Sequence, residues 1–253
     1  MNIFRNVVFV AALAGLVAGI VMTVLQAYAT VPLILQAETF ENAEPAHDHA
    51  AAAPAATTPT TTTGTAAPAA HEHDEEAWAP ADGAERTAYN ALANIVTGIG
   101  FALLLVAVSE ATGGIANFRQ GLFWGIAGFA VFTLAPGLGL PPELPAMPAA
   151  DLWPRQIWWV ATVAATAAGL WLLAFRGGAI LSVVAVALII APHIVGAPQP
   201  VSYETPVPEG LHHQFVVAVT VTNLVFWTVL GAAIGVIRTR FAAGLAAPQG
   251  SLA

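Results

Sequence analysis

The sequence contains no cysteine and no lysine, and only 9% of its 253 residues are charged. Without cysteine there is no disulfide, no thiolate metal site and no cysteine nucleophile. Without lysine there is no phosphate-binding Gly-x-x-x-x-Gly-Lys-Ser/Thr loop, so the chain cannot power work with a Walker-type ATPase of its own, and lysine Schiff-base chemistry is excluded as well. Soluble domains carry roughly a quarter charged residues. A chain this poor in charge cannot cover a globular surface with solvated groups. The formal net charge of −8 also argues against a nucleic-acid partner, which calls for a basic face. Neither a His-Glu-x-x-His pair nor a Gly-x-Ser-x-Gly elbow occurs, and no other catalytic set is apparent, so an enzyme is not expected.

What the sequence does have is apolar length. Hydrophobic residues make up 57% of the chain, and they gather in runs of about 20, enough to cross a hydrocarbon core roughly 30 Å thick. Six spans are expected, at about 7–26, 91–108, 121–140, 157–175, 179–195 and 215–237. Each should be helical, since a helix satisfies its backbone hydrogen bonds internally. Pro136 and the Gly137–Gly139 pair should kink or end the third span. Arg176, Gly177 and Gly178 alone join the fourth span to the fifth, as a tight hairpin. The expected fold is an all-α polytopic membrane bundle forming one domain over 1–253. Segment 43–81, rich in Ala, Pro and Thr with few large apolar residues, is expected to be a disordered extramembrane insertion.

Charge gives the bundle a direction. With six spans, Arg5, Arg119, Arg176, Arg238 and Arg240 share one side with both termini, and Arg86 and Arg155 lie on the other. The positive-inside rule puts the arginine-rich side and both termini in the cytoplasm. Of the 15 acidic residues, Glu110 alone lies on the arginine-rich side, and all seven histidines fall on or near the opposite one. Ala27-Tyr28-Ala29 also matches a signal-peptidase site, whose use would leave a five-span mature chain.

The outer side therefore holds the candidate chemistry. His47-Asp48-His49 and His71-Glu72-His73-Asp74-Glu75-Glu76 repeat one pattern. Imidazole with carboxylate suits divalent cobalt, nickel or zinc, and the spacing fits loose capture. A solvated loop with incidental histidines is the plainer reading. His193 ends the fifth span, and His212 and His213 open the sixth, with only a short loop between them. Glu143 and Asp151 come from the neighbouring outer loop, and Glu38 and Glu41 follow the first span. Ionisable groups at such positions are costly and tend to be functional, so this set is the candidate mouth of a cation pathway. The alternative is that it sits idle among lipid headgroups. Asn94 and Asn223 lie inside spans, where hydrogen bonding between helices is their expected role. Gly15-x-x-x-Gly19, Gly121-x-x-x-Gly125 and Gly231-x-x-x-Gly235 permit close helix approach, within the chain or in an oligomer. Trp153, Trp158 and Trp159 are expected to anchor the outer interface.

Several segments resemble one family. They are VPLILQAETFE (31–41), LAPGLGLPPELPAMPAADLWPRQIWW (134–159), APHIVGAP (191–198) and TNLVFWTVLG (222–231). In these the chain resembles the CbtA family of proposed cobalt transporter subunits, over nearly its whole length apart from 43–81. The resemblance implies a bacterial inner-membrane subunit for cobalt uptake, associated with cobalamin synthesis. It also implies a small partner, CbtB, with one span and a histidine-rich end. The family carries no ligand assignment to transfer. Among the residues in matching segments, Glu38, Glu41, Glu143, Asp151 and His193 are the candidates. A divalent-cation permease subunit is the leading expectation, and a metal sensor or scaffold that stabilises a small transporter partner is the alternative.

Overall fold

The computed structural model describes residues 2–41 and 80–246, and every regular element among them is helical. In chain order these are α1 (Asn2–Ala29), α2 (Val31–Glu41), α3 (Ala84–Glu110), α4 (Phe118–Phe129), a π-helical turn (Ala130–Leu134), α5 (Ala135–Gly139), α6 (Leu152–Phe175), α7 (Ala179–Val195) and α8 (Glu209–Ala246). Among the described residues, five stretches are long and apolar enough to cross a membrane: α1, α3, the run Phe118–Gly139, α6 and α8. The remaining expected span, α7, has 17 residues. At about 26 Å it stands at the short limit for a crossing helix. The insertion expected over 43–81 lies almost wholly outside the described residues.

Helices in lipid gain little from burying apolar surface against each other, because the tails are equally apolar; they associate through close packing. Here glycines provide it. A Cβ on Gly15 would lie 2.3 Å from the Ile99 nitrogen in α3, and one on Gly98 would lie 2.7 Å from the Gly15 carbonyl oxygen. The other two glycine pairs meet each other. A Cβ on Gly121 would lie 2.3 Å from the Gly231 oxygen, and one on Gly235 would lie 2.8 Å from the Asn117 oxygen. All three small-residue faces are thus taken up by contacts inside the chain. α1 packs on α3 and α8, and α4 packs on α8. Their shared core contains Val10, Ala14, Ala18, Leu105, Val106, Leu230 and Ile234. At its centre the Trp227 ring stacks on Phe132 at 5.6 Å and meets Phe101 at 4.7 Å.

The third span breaks where its sequence requires. Asn117 caps α4 by accepting from the Gln120 N–H, while the Gln120 side chain accepts from the Ala116 N–H. Farther along, Pro136 has no N–H to give, and the Ala135 N–H reaches back five residues to the Ala130 oxygen. The resulting π turn carries Thr133, whose hydroxyl accepts from Trp227 Nε1 at 3.2 Å. Helix geometry then stops at Gly139.

The start of α1 and the end of α8 share one end of the bundle. Arg238 Nη1 pairs with Glu110 there, joining α8 to α3, and Phe9 of α1 meets Phe241 of α8 edge-on at 5.1 Å. At the other end, α2 and the 141–150 loop fold over the bundle against the start of α8. Ala37, Leu144, Val207, Leu211 and Phe215 form a second apolar cluster at this cap. The helical form of 31–41 was not anticipated from the sequence. Its apolar residues show no clean stripe, because α2 packs on several elements at once.

α6 and α7 make an antiparallel hairpin whose turn places Gly177 and Gly178 at φ 59 and 97, a region open to glycine. α7 packs on α6, and its outward face exposes Ile180, Val183, Ile190 and Val195. Such an uncovered apolar face suits hydrocarbon rather than water.

Candidate functional site

The cap end gathers those of the carboxylates and histidines singled out above that lie among the described residues, and the structure gives several of them structural partners. Glu38 of α2 holds Arg86 of α3 through two bonds, of 2.5 and 3.2 Å, and Asp82 binds the same guanidinium at 2.9 Å. Glu143, from the 141–150 loop, pairs with Arg155 of α6 at 3.0 Å. The two arginines on the side opposite the termini are therefore both neutralised by carboxylates, and each pair ties a cap element to a long helix. Near the start of α8, His212 Nε2 donates to the Pro142 oxygen at 3.2 Å. Close by, the Thr205 hydroxyl donates to the Ala146 oxygen at 2.9 Å.

His193 lies in the last turn of α7, with its ring edge-on to Trp158 at 5.8 Å. Trp158 Nε1 donates to the Pro192 oxygen at 3.1 Å. Trp158 is buried, packed against Gly139 of α5. It fastens α5, α6 and α7 rather than standing free at an interface, whereas Trp153 is exposed. His213, Glu41 and Asp151 are exposed. His193 contacts Trp158 at the α6–α7 pair, while His212 is engaged with the 141–150 loop. Among the described residues, no three histidine or carboxylate side chains stand close enough to hold a metal ion. His47, His49, His71 and His73 lie outside the described residues.

What the structure adds is a polar seam between α1 and α3. Asn94 Nδ2 donates to Gln26 Oε1 at 2.7 Å and to Thr23 Oγ1 at 3.2 Å. The bonding between helices expected of Asn94 is therefore present. Asn223 instead donates to the Val219 oxygen of its own helix at 2.9 Å. Above Asn94 lies a pocket of about 160 Å³ lined by Thr23, Gln26, Asp82, Arg86, Thr87 and Asn90, with Ala27, Val31 and Leu35 on its apolar side. The helical spacings Thr23-x-x-Gln26 and Asn90-x-x-x-Asn94 were the only sequence signal for this seam. Without knowing that α1 faces α3, the two pairs could not be joined.

A family model described as "Probable cobalt transporter subunit (CbtA)" matches residues 4–239, nearly the whole chain. No curated protein and no solved structure matches.

Proposed function

We propose a function from one premise: the chain belongs to the CbtA family of probable cobalt transporter subunits. It is a membrane-embedded subunit for cobalt uptake across the bacterial inner membrane, and it works with a small single-span partner of the CbtB type. The arginine-rich end faces the cytoplasm, and the cap end faces the metal supply. The histidines of the 43–81 insertion collect the ion, and His193, His213, Glu41 and Asp151 receive it at the cap. The single observation that carries this reading is the family match over nearly the whole chain. The clustering of acidic residues and histidines at one end supports it. An inward-negative membrane potential contributes about 2.3 kcal/mol per charge per 100 mV, and about twice that for a divalent ion. That is enough to concentrate metal without nucleotide hydrolysis.

Cells lacking the protein are expected to accumulate radiolabelled cobalt several-fold more slowly than wild type when the metal is limiting. Wild-type uptake in those cells would sink the proposal. Removing 43–81 and substituting His193→Ala, separately, then distinguish collection by the insertion from a site in the bundle.

A second reading has one observation behind it: no three potential ligands converge among the described residues. On that reading the chain senses metal or stabilises its partner and moves nothing itself. Liposomes holding the purified chain together with its partner decide between the two. Metal that binds but does not enter the lumen favours the scaffold.

A further inference from the structure

We propose that the Ala27-Tyr28-Ala29 signal-peptidase match at the cap end of α1 is left uncut because the backbone across it stays helical, and that α1 is a permanent part of the bundle. The proposal rests on the orientation given above, with the cap end outside the cytoplasm, since that puts the match on the side where such a peptidase works.

Four observations carry it. The first is the hydrogen bonding at the bond that would be cut. The Thr30 N–H, which belongs to the Ala29–Thr30 peptide, donates to the Gln26 oxygen at 3.1 Å, and the Thr30 hydroxyl reaches the same oxygen at 3.3 Å. The Leu33 and Ile34 N–H groups donate to the Thr30 oxygen at 3.1 and 3.0 Å. α1 therefore passes into α2 through one residue that is itself bonded on both sides. A peptidase reads its substrate as an extended strand, and this segment offers none.

The second is burial. Tyr28 is 84% exposed, so the match can be reached from outside, but Thr30 is 5% exposed. Cutting depends on whether the backbone can be drawn out, not on whether the side chains can be seen. Drawing this segment out would uncover Thr30. It would also pull on α2, whose Ala37 is buried in the cap and whose Glu38 holds Arg86.

The third is the hold on the turn just before the match. For Ala27–Ala29 to be presented as a strand, the helix must end there. Asn94 of α3 pins that turn, donating to Gln26 Oε1 at 2.7 Å and to Thr23 Oγ1 at 3.2 Å. The Thr23 hydroxyl in turn donates to the Gly19 oxygen at 2.8 Å.

The fourth is the packing of α1 farther in. Ala11, Ala14 and Ala18 are fully buried. Gly15 and Gly19 bring α1 into backbone contact with Ile95, Gly98 and Ile99 of α3. Loss of α1 would strip cover from Val106 and Ile234, which share its core. The family match begins at residue 4, inside α1, so this span belongs to the shared core.

The full chain is produced in bacterial cells with an epitope tag on its N-terminus, and the products are read by intact mass spectrometry and N-terminal sequencing. The parent is expected to keep its tag, with no product beginning at Thr30. Gln26→Pro removes a helical N–H at the pinned turn, and its ring displaces the carbonyl one turn earlier. It is expected to raise the product beginning at Thr30 at least tenfold above the parent's detection limit. Gln26→Leu loses the bond to Asn94 but keeps the helix, and is expected to stay whole. Adding Ala29→Leu to Gln26→Pro destroys the match and should abolish the product. Persistence of the product there would assign the cut to general degradation and overturn the proposal. A parent that begins at Thr30 overturns it as well. So does a Gln26→Pro chain that stays whole, or a Gln26→Leu chain cut as readily as the proline variant. A single Glu41→Cys thiol, probed with a membrane-impermeant maleimide on cells stripped of their outer membrane, tests the orientation separately. Labelling together with a whole Gln26→Pro chain removes the masking and leaves the orientation standing. Labelling only after the membrane is permeabilised puts the match beyond the peptidase's reach and removes both.

Discussion

Gly231→Val is expected to leave little folded protein, whereas Gly100→Val is expected to be close to neutral. Both glycines sit inside transmembrane helices, yet their surroundings differ completely. A Cβ on Gly231 would lie 2.2 Å from the Gly121 oxygen and 2.8 Å from the Gly125 backbone. A Cβ on Gly100 would meet nothing within 4 Å. The obstacle at Gly231 is backbone of a facing helix, which cannot rotate aside as a side chain does. The insertion must push α4 and α8 apart along the seam where Gly121, Gly125, Gly231 and Gly235 interlock. Overpacking by a methyl group costs about 1–3 kcal/mol in a well-packed core, so Gly231→Ala should already lower the folded-to-unfolded ratio roughly 5- to 150-fold. Valine adds two further carbons. The loss would not stay local, because α8 also packs on α1 and carries Trp227 into the aromatic centre. The measurement is the monodisperse fraction recovered in detergent after graded heating. Equal recovery of the two valine variants would show that the helices do not approach as closely as described.

That seam was half visible in the sequence. The three small-residue motifs could be read directly, but their pairing could not. Gly121 and Gly231 are far apart in the chain, and any helix bearing such a motif could have met any other, or a second copy. The same limit applies at the cap. Six apolar runs and a break near Pro136 followed from composition and from the missing proline N–H, because both act locally. Glu38 and Arg86 are 48 positions apart, and a carboxylate does not disclose whether it will meet an arginine or a metal. Read as potential ligands, Glu38 and Glu143 turned out to bind Arg86 and Arg155. α2 escaped notice because its apolar residues contact several elements and so follow no single helical stripe. The α1–α3 pocket was illegible for a similar reason, since its polar residues are ordinary on either helix alone and line one pocket only where two helices face each other.

Trp158→Ala is expected to loosen α7 from the bundle and with it the setting of His193. α7 has few other ties: it packs on α6, and much of its apolar surface is uncovered. Trp158 is 7% exposed; it touches His193, donates to the Pro192 oxygen and fills the space over Gly139, where a Cβ would lie 2.3 Å from its ring. Truncating a buried tryptophan costs about 3–5 kcal/mol. The hydrogen bond is the smaller part, about 0.5–1.5 kcal/mol, because the Pro192 oxygen also accepts from the Gly196 N–H at 3.0 Å and keeps that partner. Trp158→Phe should therefore retain most of the stability that Trp158→Ala loses. The natural absence of cysteine makes the test clean. A single Ala185→Cys substitution, on the α7 face buried against α6, provides the only thiol in the chain. In detergent its maleimide labelling should stay slow in the parent and in Trp158→Phe, and speed up at least tenfold in Trp158→Ala well below the unfolding temperature. Equal acceleration in both tryptophan variants would mean that the indole N–H, not the ring, holds α7 in place.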